Sequence, residues 1–89
     1  MFEFMEYNLK RVFNLVGLNE NEFTITGDDN RIDVTMDLKR FSKYFEDVQM
    51  FEDVRAIVSS FISYGDYYKL TYESMNYNTC KNEMTFKKL

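Results

Sequence analysis

Apolar positions in the first sixteen residues recur at helical spacing. Phe2, Met5, Leu9, Val12 and Val16 share one side, and Phe13 widens it. Glu6 and Lys10 form an i,i+4 pair on the polar side. The pattern predicts a helix over 2–16. Gly17 stands where a left-handed residue ends such a helix, with Leu18 placed to fold back as its apolar contact.

Between 22 and 38 the period changes to two. Phe23 and Ile25 alternate with Glu22, Thr24 and Thr26. After Gly27-Asp28-Asp29-Asn30, Ile32, Val34, Met36 and Leu38 alternate with Arg31, Asp33, Thr35 and Asp37. This predicts a β-hairpin with one apolar and one polar face. Face matching allows two registers. A two-residue turn at Asp28-Asp29 sets Ile25 against Ile32, whereas a four-residue loop sets Ile25 against Val34. A three-residue loop would oppose Ile25 to Asp33 and turn one apolar set outward.

Residues 39–63 return to helical spacing, with Phe41, Tyr44, Phe45, Val48, Phe51, Val54, Val58 and Phe61 in a broad stripe. FEDV occurs at 45–48 and at 51–54. A six-residue offset turns a helix by about 600°, so the copies do not share a face. The region predicts either one continuous helix with some exposed apolar residues or two helices broken near 47–50. After Gly65, Tyr68, Leu70 and Tyr72 alternate with Tyr67, Lys69, Thr71 and Glu73. Residues 75–81 predict a polar turn, and Met84 and Phe86 a last strand. An odd-length loop keeps Leu70 and Tyr72 on the side of Met84 and Phe86. The end, Lys87-Lys88-Leu89, predicts fraying.

Each hairpin thus has one apolar face and each helical region one stripe. An α+β fold in α-β-β-α-β-β order buries all of them: a four-stranded antiparallel sheet with helices packed on one face. Residues 1–89 form a single compact domain.

Composition then narrows the chemistry. The chain has no histidine, no proline, one cysteine and three glycines. Without imidazole, Ser-His-Asp and Cys-His catalysis and His-containing zinc sites are excluded. Cys80 lies beside Lys81 but has no base with a pKa near neutrality to activate it. Asp28-Asp29-Asn30 invites a calcium reading, yet an EF-hand count from Asp28 puts Ile32 at position 5, Asp33 at 6 and Lys39 at 12. A turn rich in Asp and Asn explains the run better. The isolated glycines form no phosphate loop. The chain therefore reads as non-enzymatic, with no catalytic residue, metal site or cofactor.

No uncharged apolar run approaches the roughly 18–20 residues that span a bilayer. The acidic start lacks the basic region of a signal peptide, and a lone cysteine suits a reducing compartment. A cytoplasmic protein is expected. Net charge is −4 and the pI about 4.7. That balance disfavours direct nucleic-acid binding and suits a protein partner with a basic surface.

The outer sheet face predicts an acidic ridge of Glu22, Asp33 and Asp37, joined at the turn by Asp28 and Asp29. Its plain reading is a solvated sheet face; its functional reading is a partner-binding surface that imitates phosphates. Tyr67 and Tyr77 are the exposed rings expected to join it, whereas Tyr68 and Tyr72 share the core-facing parity. Lys69 and Lys87 lie on Tyr67's side. Glu46-Asp47 and Glu52-Asp53 do not line one helix face and read as solvation.

Phe, Tyr, Met, Ile, Asn and Lys are abundant beside a single Ala56, as in proteins of low-GC genomes. In size, acidity and want of catalytic residues the chain resembles small phage-encoded inhibitors such as anti-CRISPR proteins. No motif carries that resemblance and no residue transfers by it. It implies a phage or mobile-element inhibitor that stoichiometrically blocks a nucleic-acid-binding defence protein in the host cytoplasm. The alternative is a structural or regulatory homo-oligomeric adaptor, a homodimer formed by pairing an exposed edge strand at 80–88.

Overall fold

The structure, a computed structural model, describes residues 2–15, 17–37, 52, 53, 55–60, 67–76, 78, 79 and 81–89. Leu38, the continuity of the helical region near 47–50, the first FEDV copy, Tyr64, Tyr77 and Cys80 lie outside them.

Helix α1 (Phe2–Leu15) buries Met5, Leu9 and Phe13, three residues at i,i+4 spacing that form one stripe. It ends as expected. Gly17 adopts φ +89°, its N–H bonds to the Asn14 carbonyl (3.1 Å) and the Leu18 N–H to the Phe13 carbonyl (2.9 Å). This is a Schellman ending, and buried Leu18 folds back as its apolar contact.

A short 3-10 turn, Glu20–Glu22, leads into β1 (Phe23–Asp28), which is antiparallel to β2 (Arg31–Asp37). Ile25 faces Val34, the pairing of the second predicted register. The ladder nonetheless continues through Gly27↔Ile32 and Asp28↔Arg31 to a two-residue turn at Asp29-Asn30. Gly27 thus belongs to the strand, at φ +135°. The Asp28 side chain accepts the Asn30 and Arg31 N–H groups (2.8 and 3.1 Å), which makes this tight tip possible.

The second hairpin is longer than expected. β3 (Tyr68–Asn76) pairs antiparallel with β4 (Lys81–Lys88), and the Asn76 side chain caps the turn by accepting the Asn78 and Thr79 N–H groups (3.0 and 3.2 Å). Leu70 faces Phe86 as predicted. A bulge at Thr71 then advances the register, so that Tyr72 faces Thr85 and Glu73 faces Met84. The one-residue step sends Tyr72 to the outer face, where it is 51% exposed, correcting its expected place in the core. Glu73 moves to the helix side and pairs with Arg55 (2.9 Å) from the helical residues 55–60.

Strand order is β1-β2-β4-β3. The last strand therefore lies inside the sheet, bonded to β2 and β3, and the edges are β1 and β3. That removes 80–88 as an edge for pairing with a second copy. Nor is the end frayed: the Lys88 N–H bonds to the Asn30 carbonyl (2.9 Å) and the Leu89 N–H to the Tyr67 carbonyl (2.8 Å).

Core residues from all four strands lie on one sheet face: Phe23 and Ile25, Ile32, Val34 and Met36, Met84 and Phe86, and Tyr68. The α1 stripe covers them, with the Phe13 and Phe23 ring centroids 4.5 Å apart, and Val58 joins from the second helical region. The result is an α+β fold, one antiparallel sheet with its helices on one side.

Candidate interaction surface

The other sheet face is open to solvent, and its rows follow from register. Asp28, Arg31, Lys87 and Lys69 stand side by side across β1, β2, β4 and β3. The next row is Thr26, Asp33, Thr85 and Tyr72, then Thr24, Thr35, Glu83 and Ser74. Asp37, Lys81 and Asn76 close the far end. Asp28, Asp33, Asp37 and Glu83 are thus matched by Arg31, Lys69, Lys81 and Lys87. The face is charge-balanced and not the acidic ridge that the first hairpin alone suggests.

Asp33 shows how the balance is built. Arg31 Nε donates to both its carboxylate oxygens (3.2 and 3.0 Å), and Thr85 Oγ1 donates to one of them (2.7 Å). Thr71 Oγ1 in turn donates to the Thr85 carbonyl (3.2 Å). Burial opposes ionisation of Asp33 more than any other single influence, yet the Arg31 and Thr85 bonds together hold its pKa below the ordinary 3.8. A carboxylate with a depressed folded pKa stabilises the fold above its unfolded pKa and loses that contribution as pH falls through the folded one. The advantage of the native protein over Asp33→Asn, on the order of 1 kcal/mol at neutral pH, should therefore fade below pH 3.8. Urea titrations of both proteins across pH 2–7 measure it. Arg31, Asp33, Thr71, Tyr72, Thr85 and Lys87 line a groove of about 570 Å³ here.

A second concavity, about 640 Å³, lies where the β1–β2 turn meets the start of α1, lined by Phe2, Glu3 and residues 27–30. Asp29 joins the two elements: its Oδ1 accepts the Phe2 N–H (2.8 Å), and its carbonyl accepts the Tyr68 hydroxyl (3.0 Å). The Phe2 bond lowers the Asp29 pKa, with Lys88 adding to it. Tyr68 is pushed the other way, first by burial and then by the Asp29 and Asp28 charges. Glu3, Asp28 and Asp29 are exposed and all line this concavity.

The expected site residues therefore separate. Asp28 and Asp29 are adjacent at the turn, and Glu3, which was not among the expected residues, lines the same concavity. Asp33 and Asp37 lie half-buried along β2. Glu22 is not on the outer face: the 3-10 turn carries it inward to 2% exposure, where Oε1 accepts the Asn19 N–H (3.1 Å). Its Oε2 has no hydrogen-bond partner among the described residues. Tyr67 is 53% exposed just before β3, and Tyr77 lies outside the described residues.

Sequence reasoning passed over a further surface. Phe4, Tyr7 and Leu15 are 64, 61 and 83% exposed on the side of α1 opposite its buried stripe. Their spacing of three and then eight residues was a readable second helical stripe.

Among the described residues no three His, Cys, Asp or Glu side chains are grouped to hold a metal ion, and no helix is long and apolar enough to cross a membrane. Compared with protein-family models, curated proteins and solved structures, the chain matches none of them.

Proposed function

We propose that this chain is a small acidic protein-binding module of the phage or mobile-element type, which stoichiometrically blocks a nucleic-acid-binding host defence protein and performs no catalysis. The observation that carries the reading is that Glu3, Asp28 and Asp29 line one concavity where the β1–β2 turn meets the start of α1. Three carboxylates on fixed supports offer Arg and Lys side chains what a nucleic-acid backbone offers them. A net charge of −4 draws such a partner in from a distance, and exposed Tyr67 and Tyr72 supply apolar area at low entropic cost.

The test neutralises charge without disturbing the fold. Asn at 28 and 29 keeps the Oδ1 that accepts the turn and helix N–H groups, so Glu3→Gln/Asp28→Asn/Asp29→Asn removes three charges and leaves the architecture intact. A bacterium armed with an RNA-guided nuclease should regain plaques of a targeted phage when it expresses the native chain. In vitro, one equivalent should stop the purified nuclease–guide complex from binding its DNA target. The triple variant should associate about tenfold more slowly, with a weaker salt dependence. Lack of plaque recovery and of a one-to-one complex with any RNA-guided nuclease rejects the proposal. So does inhibition by far less than one equivalent, which would mean turnover.

A further inference from the structure

Charge on the open sheet face is balanced in sum but not in place. At the end near the β1–β2 turn, Arg31, Lys87 and Lys69 stand side by side on three neighbouring strands. Arg31 is engaged by Asp33 (3.0 Å). Lys69 and Lys87 are exposed directly opposite each other and, among the described residues, neither has an ion-pair partner. Opposed Cβ atoms in a sheet lie about 5 Å apart, and like charges so placed destabilise the ladder. Other acids of this face do not relieve them. Glu83 is four residues from Lys87 along β4, about 14 Å between backbones, beyond the roughly 8 Å over which exposed charges act at physiological salt. Asp28 lies two strands from Lys87, about 10 Å away, with its carboxylate turned to the Asn30 and Arg31 N–H groups.

One same-face step along the strands is about 6.8 Å. At that distance from the lysine pair, the bulge at Thr71 brings Tyr72 out opposite Thr85, 51% exposed. Tyr72 and Lys87 line the same groove of about 570 Å³, within the size range of small-molecule sites. We infer that this groove binds a purine 5′-nucleotide, its phosphate held between the Lys69 and Lys87 ammonium groups and its base stacked on the Tyr72 ring. A phosphate offers several acceptor oxygens to converging point charges. A carboxylate is matched best by an arginine fork, and Arg31 is already given to Asp33. The step from lysine pair to ring is comparable with that from a 5′-phosphate to its base, and a purine covers more of an exposed ring than a pyrimidine does. A nucleic-acid strand fits less well, because the next two rungs add Asp33 and Glu83 and no further cation for its following phosphates.

Titration of the isotope-labelled native chain with AMP, followed by its amide resonances, tests this. Saturable shifts should centre on Lys69, Tyr72, Thr85 and Lys87, with a dissociation constant in the millimolar range or below. Lys69→Gln and Lys87→Gln should each weaken AMP about tenfold, and Tyr72→Ala at least about fivefold. In the free chain, removing either of two opposed lysines should leave the melting temperature equal or higher, the reverse of losing a structural contact. Adenosine and ribose 5-phosphate, which each carry one half of the ligand, should bind far more weakly than AMP. Absence of a saturable shift at millimolar AMP overturns the proposal. So does equal binding of adenosine or ribose 5-phosphate, or an AMP affinity unchanged in Lys87→Gln. A lowered melting temperature in both glutamine variants also overturns it, since the lysines would then be structural. Tighter binding of a single-stranded oligonucleotide than of AMP overturns it in favour of a nucleic-acid partner. Glu3, Asp28 and Asp29 take no part in this site, so it and the inhibitory reading can fail separately.

Discussion

Gly27→Ala should cost at least about 3 kcal/mol and lower the melting temperature by well over 10 °C. Two independent faults combine at this position. Its φ of +135° is a conformation that side chains avoid, and a Cβ built there collides with the carbonyl oxygen of Arg31 and crowds the Ile32 Cα. The obstacle is backbone on the paired strand, so no rotamer change relieves it. Relief requires β1 to part from β2 at the tip. That would loosen the turn in which Asp29 holds both the start of α1 and the Tyr68 hydroxyl. Gly17→Ala is the control. Gly17 also has positive φ, but nothing lies within 4 Å of its would-be Cβ, so the cost should be about 1 kcal/mol. Equal losses in thermal melts of the two variants would show that the collision is absent.

Deleting Thr71 should cost far less, about 1 kcal/mol. Tyr72 then follows Leu70 directly, so the ladder closes on the pairs it already has: Leu70↔Phe86, Tyr72↔Thr85 and Glu73↔Met84. Tyr72 keeps the outer face, Glu73 keeps Arg55, and Met75 keeps the core side. What is lost is the bond from the Thr71 hydroxyl to the Thr85 carbonyl. Urea unfolding gives the magnitude. Hydrogen exchange should show protection retained on both sides of position 71. A loss of about 3 kcal/mol or more would mean that the pairs beyond the bulge had not been kept.

Much of this fold is legible because burial on one side leaves a strict period. Met5, Leu9 and Phe13 mark α1, and Phe23, Ile25, Ile32, Val34 and Met36 mark the first hairpin. Gly17 fixes the helix end through a single backbone requirement. The misreadings share one cause: alternation reports parity only while the count of residues is unbroken. A bulge adds a residue without changing composition, so Tyr72 looked internal. A single 3-10 turn before β1 has the same effect, and Glu22 looked external. Strand order was hidden for a different reason, since two hairpins can meet by any of several edges and the pattern within each says nothing of which. The charge balance of the outer face depends on that order. Only when β4 lies beside β2 does Lys87 stand against Arg31 and Thr85 reach Asp33. At the acidic corner, Asp28 and Asp29 were readable as a turn, whereas Glu3 arrives through a tertiary bond.

Because β4 is inserted between strands formed earlier in the chain, it acts as a keystone. Neither half of the sheet can be joined to the other until β4 has emerged and threaded into place. Assembly must then wait on contacts far apart in sequence, which slows folding. With no proline in the chain, that docking step has no prolyl isomerisation to hide behind.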